Sequence, residues 1–115
     1  MTLHIEKELF QWEKNRYVFV NRTENEPAIS CVQFYNNKSK TAPEVPLENG
    51  KAKIPNYLLK DYLPIVALGC TMDSEGTQVI CRRTFKVLKR ARPEFYIDDE
   101  DSVVKDVIYD GGVEV

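Results

Sequence analysis

The sequence predicts an all-β, antiparallel domain followed by a C-terminal extension. Three observations lead there. Runs of β-branched and aromatic residues recur along the chain, clusters of turn-forming residues separate them, and only one short stretch repeats apolar residues at helical spacing.

The first strong run is Arg16-Tyr17-Val18-Phe19-Val20, which ends in the turn-rich stretch Asn21–Pro27. Ala28 to Tyr35 is the second, with Val32 and Phe34 on one face and Cys31 of opposite parity, hence on the less buried face. Asn36-Asn37-Lys38-Ser39 closes it with loop chemistry. Thr41 to Leu47 contains Pro43 and Pro46, so a strand there belongs at a sheet edge. Asn49-Gly50 predicts a hairpin turn leading into Lys51–Ile54.

Residues 54 to 64, IPNYLLKDYLP, predict a helical turn at about 56–62. Asn56 is placed to cap it, Leu58, Leu59 and Tyr62 recur at helical spacing, and Pro64 ends it. So short a helix needs tertiary packing to hold it. A hairpin follows. Val66, Leu68, Cys70 and Met72 alternate on one strand, Asp73-Ser74-Glu75-Gly76 turns, and Val79, Cys81, Phe85 and Val87 alternate on the return, with Arg83 intruding. Pairing Met72 with Thr77 sets Cys70 against Val79 and Leu68 against Cys81. Cys70 and Cys81 then lie diagonally, roughly 7–8 Å apart. That is too far for a disulfide without backbone movement, so both are expected reduced and buried.

Six or seven short strands with closely spaced turns predict an immunoglobulin-like β-sandwich over residues 1–92, with its core at Val66, Leu68, Val79 and Phe85. Trp12 precedes the first long strand and reads as a core or core-edge anchor. The Cys–Trp–Cys order of antibody domains is absent, because Trp12 comes before every cysteine. Pro93 breaks the pattern, leaving residues 93–115 as a C-terminal arm that docks on a partner or on its own domain.

The 115 residues are sized for one domain, and 43% apolar with 30% charged residues is ordinary globular composition. A net charge of −2 provides no global field toward nucleic acid or anionic lipid. No run approaches a membrane span, and the charges in MTLHIEKELFQW do not suit a signal peptide. Synthesis in a cytoplasm is expected, which fits three cysteines without CxxC spacing. In that compartment the Asn21-Arg22-Thr23 and Asn37-Lys38-Ser39 sequons are chance matches.

Little points to chemistry. His4 is the single histidine, in a candidate N-terminal strand, and it has neither metal-ligand partners nor a GxSxG serine to serve. The glycines form no phosphate loop, and buried cysteines make poor nucleophiles. No enzyme activity, cofactor or metal is expected. Asp98-Asp99-Glu100-Asp101 lacks the ligand alternation of a calcium loop and reads as a solvated turn. Lys86, Lys89, Arg90 and Arg92 sit beside those anions without an aromatic ladder, a weak nucleic-acid footprint.

One stretch carries a resemblance. GKAKIPNYLLKDYLPIVALGCTMDSEGTQVICRRTFKVLKRARPEFY runs from a glycine through a short strand ending in Ile54-Pro55 to a helical turn with Leu58-Leu59. A strand, a polar turn with Gly76-Thr77, a second strand and an exit through Arg92-Pro93 to Phe95-Tyr96 follow. Together with Val32-Gln33-Phe34 and Asn36, this order resembles the N-terminal domain of upper baseplate and related tail- or head-fibre proteins of phages infecting Gram-positive bacteria. The likeness covers roughly residues 12 to 97 and consists of polarity and turn patterns, not a catalytic signature. It implies an immunoglobulin-like sandwich, a non-enzymatic virion module and contacts with other phage structural proteins, in a homo-oligomer and without a membrane. With no coiled-coil or receptor-binding part after the arm, it implies a small virion protein or separately encoded adaptor rather than a receptor binder. Arg90, Arg92, Phe95, Tyr96 and Ile97 are then the candidate interface, with the following anions keeping the free protein soluble. Two other readings stay open. One is a fibronectin-like module binding carbohydrate or protein, with Tyr17, Phe19 and Tyr35 as candidate exposed aromatics. The other is a nucleic-acid accessory protein using residues 86–92.

Overall fold

The computed structural model describes residues 1–98, and the parts of the predicted arm at 99–115 lie outside them. The fold is all-β. Nine strands form among the described residues: β1 (Thr2–His4), β2 (Leu9–Phe10), β3 (Tyr17–Asn21), β4 (Cys31–Tyr35), β5 (Glu44–Pro46), β6 (Lys51–Lys53), β7 (Ile65–Asp73), β8 (Gly76–Phe85) and β9 (Val87–Leu88). They assemble into an antiparallel sheet ordered β1-β3-β6, an antiparallel sheet ordered β5-β4-β7-β8, and a parallel pair, β2-β9. The parallel pair departs from the expected all-antiparallel pattern. It joins the N-terminal segment to β9, with Leu9 opposite Val87.

One hydrophobic cluster draws on both larger sheets. Leu3, Val18 and Ala52 come from the first, and Val32, Phe34, Ile65, Ala67 and Phe85 from the second. The 3-10 helix Asn56–Lys60 adds Leu58 and Leu59. Proline-bearing β5 lies at a sheet edge, where its missing N–H costs no ladder bond. Asn49 and Gly50 both take positive φ, 56° and 77°, the backbone of the expected tight turn. The antiparallel Glu48–Lys51 bridge closes that turn, with the Glu48 N–H donating to the Lys51 carbonyl at 2.9 Å and the Lys51 N–H to the Glu48 carbonyl at 3.2 Å, but the flanking strands β5 and β6 lie in different sheets, so the pairing extends no further.

The β7–β8 hairpin pairs Met72 with Thr77 and Cys70 with Val79, as the turn chemistry predicts. Between Gly69 and Cys70 the register slips: Gly69 faces Cys81 and Leu68 faces Arg82, leaving Ile80 as the extra residue. A one-residue bulge reverses which face each later side chain occupies. The expected core is corrected accordingly. Ile65 and Ala67 are buried, Val66 and Leu68 are half-buried, and Val79 and Met72 are exposed. Phe85 and Val87 are buried as expected. Gly69 makes the crossover possible. A Cβ there would stand 2.6 Å from Ile29 Cδ1 and 2.7 Å from Cys81 Sγ, so a side chain would collide with the residues that close the core over the bulge.

Three further expectations change. Tyr62 is exposed, because the helix ends at Lys60 and its three-residue period does not carry the apolar face that far. Asn56 is buried but does not cap the helix; its Oδ1 accepts the Asn15 N–H at 3.2 Å and ties the helix to the loop before β3. Cys31 is buried, not on an open face, because it lies directly opposite Cys70 and is flanked by Pro46 on the edge strand.

Candidate interaction surface

The residues singled out at 90–97 end up beside a loop from the other end of the chain. β2 runs parallel to β9, and the Gln11 N–H extends this contact to the Leu88 carbonyl at 2.9 Å. The chain then turns through Trp12, whose φ of 70° places a bulky residue in the left-handed region. Such a conformation costs of order 1–3 kcal/mol and survives only where surroundings impose it. Here the Trp12 N–H donates to the Leu59 carbonyl at 2.9 Å, and the Arg16 guanidinium holds the loop by donating to the carbonyls of Glu8 and Lys7 and pairing with Glu13. The result is a fixed indole at the surface.

The arm packs onto that indole. Tyr96 meets Trp12 edge-on, with ring centroids 5.1 Å apart. The Arg92 guanidinium lies 5.4 Å from the Trp12 centroid and 5.7 Å from that of Tyr96. Lys14 Nζ sits 4.7 Å from the Tyr96 ring centroid and also donates to the Ile97 carbonyl. Asp98 pairs with Lys60 Nζ at 2.5 Å, which holds its carboxyl below the usual carboxylate range. Arg90 is fixed by Gln11, whose Oε1 accepts the Arg90 N–H at 3.1 Å.

The five candidate residues therefore divide. Arg90, Arg92 and Tyr96 are engaged with their own domain. Phe95 and Ile97 alternate with Tyr96 and point away, 86% and 74% exposed. The sequence drew attention to the arm but missed its seat, formed by Trp12, Lys14 and Lys60. The available signal was a tryptophan in a polar loop just ahead of a strand. Trp12 is the sole tryptophan, so its fluorescence reports the contact directly. Tyr96→Ala is expected to shift Trp12 emission to the red and cost about 0.5–1.5 kcal/mol, with the far-ultraviolet spectrum unchanged. Unchanged emission would mean that the arm does not rest there in solution.

Catalytic features are sparse. Cys31, Cys70 and Cys81 are free thiols. Burial is the main cause that raises all three, Cys70 from an ordinary 9.0 to about 11, so none is poised as a thiolate. As pH rises, the unfolded chain loses the Cys70 proton first. Stability is thus intact below pH 9 and falls between 9 and about 11, by about 2–3 kcal/mol. Denaturant midpoints for the natural chain and Cys70→Ala across that range check this: the difference should grow with pH only in that window. His4 stacks on Phe19 at 5.6 Å within the first sheet. No metal-ligand cluster occurs among the described residues, and none of their helices is long and apolar enough to cross a membrane.

Comparison with protein families, curated proteins and solved structures gives no match for this chain.

Proposed function

We propose that this chain is a non-enzymatic adaptor or structural module of a phage particle, an immunoglobulin-like sandwich working through protein–protein contacts at a baseplate, tail or head-fibre attachment point. The observation that carries the reading is the arm. Two large apolar side chains, Phe95 and Ile97, are held outward by a stretch fastened on both sides to its own domain. A preorganised segment loses little entropy when it docks, which suits an assembly contact. The resemblance of the sequence pattern to that of baseplate and fibre proteins suggests the phage context, with other virion proteins or further copies of this chain as partners. Cys31 and Cys70 are buried, Cys81, expected buried, is half-buried, and burial pushes all three thiols up, which together with a lone histidine stacked on Phe19 favours a binding role over a catalytic one.

The other two readings draw less support. A glycan platform wants bare aromatic faces in a row, whereas Tyr17 lies under Lys51 at 4.5 Å and Phe19 is stacked on His4. A nucleic-acid surface wants free cations, whereas the Arg92 guanidinium lies over Trp12 and that of Arg90 donates to the Gln11 carbonyl at 3.5 Å. Mass spectrometry of purified phage particles from a strain carrying the gene tests the proposal. A fixed stoichiometry with the major virion proteins is expected. Complete, infectious particles without the chain would contradict it.

A further inference from the structure

Cys31 on β4 and Cys70 on β7 stand directly opposite each other in the antiparallel sheet. Facing residues on such strands have Cα atoms about 4.5 or 5.5 Å apart, depending on the hydrogen-bond pattern. Both separations lie within the roughly 4.4–6.8 Å that a disulfide bridges. The side chains agree with the register. The Cys70 thiol leans toward β4, where it donates to Oε1 of Gln33, a neighbour of Cys31 on the same face of that strand, at 3.5 Å. Val32, Phe34 and Ala67, at the alternate positions, belong to the hydrophobic core cluster and neither cysteine does, so the two thiols share the opposite face of the sheet. Cys81 lies apart from them. It faces Gly69, the residue before Cys70, and its Sγ fills the space of the missing side chain, which places it on the core side.

We propose that Cys31 and Cys70 are a thiol–disulfide switch, which a low-molecular-weight disulfide such as oxidised glutathione converts into a cross-strand bond locking β4 to β7. Access comes through β5. That strand is short, carries Pro46 opposite Cys31 and lies at the sheet edge, the kind of element that opens locally at low free energy. Opening uncovers Cys31 before Cys70, which sits on an inner strand. The Cys31 thiolate attacks the small disulfide, one small thiol leaves, and a mixed disulfide forms. The Cys70 thiolate then attacks the Cys31 sulfur and expels the second small thiol. Two protein thiols are oxidised, one small disulfide is reduced, and the two protons end on the departing thiols. Burial pushes both protein thiols up, so exchange waits on the opening of β5. The bond closes the long loop from 31 to 70 in the unfolded chain and thereby stabilises the fold. A chain folded among thiols would harden on entering an oxidising medium without any new contact. The switch does not depend on the phage reading.

Equilibrating the full 115-residue chain at rising ratios of oxidised to reduced glutathione tests it, with urea added below the unfolding transition to let β5 open and removed before melting. Intact mass should fall by two hydrogens, and peptide mapping without reduction should join the Cys31 and Cys70 peptides while Cys81 stays free. The thermal midpoint should rise by about 10 °C or more and return on adding dithiothreitol. Cys31→Ser should abolish both the link and the rise, and Cys81→Ser should keep both. Should Cys31→Ser fail to fold, the natural chain and Cys81→Ser decide the matter. Free thiols at Cys31 and Cys70 at the highest ratio, a glutathione adduct that never resolves, a link that includes Cys81, or a link without a higher midpoint would each overturn the proposal.

Discussion

Phe34→Ala is expected to lower the unfolding free energy by about 3–5 kcal/mol, a large part of the about 5–15 kcal/mol available to a domain of this size. Phe34 is fully buried on the central strand β4, opposite Ala67 on β7. The small partner leaves room for the ring, so truncating it opens a cavity that no neighbouring long side chain on that strand can fill. Tyr35 is the internal control. It follows in sequence, points to the other face and is half-buried, so Tyr35→Ala should cost clearly less. Urea titrations of the two variants against the natural chain measure the difference. Equal losses would mean that β4 has the opposite face inward.

Most of β4 was legible in the sequence because Val32 and Phe34 alternate with half-buried Gln33 and Tyr35; Cys31, buried opposite Cys70, is the departure from the period of two. The turns at Asn49-Gly50 and Ser74-Glu75 were legible for a related reason, since their backbone demands are local. The inner face of β7 and β8 was not. Both parities of β7 carry apolar residues, so alternation alone selects no face, and Ile80 inserts a bulge that composition does not announce. Once the slip is known, Gly69 explains it: Ile29 and Cys81 occupy the space its side chain would take. The arm shows the same division. A proline followed by three large apolar residues marks a segment with something to pack, but that Tyr96 turns inward while Phe95 and Ile97 turn out depends on Trp12, more than eighty positions away and reached through the parallel β2–β9 pair. Period and propensity do not encode such a long-range contact.

Phe95→Asp/Ile97→Asp is expected to abolish docking while leaving the domain intact. Both side chains are exposed and neither belongs to the core cluster, so the change in folding stability should stay within about 0.5 kcal/mol. At an interface the same two groups would be central apolar anchors. Losing them should weaken association by about 2–4 kcal/mol, roughly 30- to 1000-fold, and each aspartate adds a charge that must be desolvated. Tyr96→Ala should weaken docking less, because it loosens the arm without removing what the arm presents.

Co-sedimentation of the purified full chain with particles from a strain lacking the gene brings the account to its sharpest test. The natural chain should pellet with the particles, and Phe95→Asp/Ile97→Asp, folded and equally soluble, should remain in the supernatant. Equal pelleting of the two, or a natural chain that stays in solution, would contradict the assignment of the arm as the surface through which this protein works.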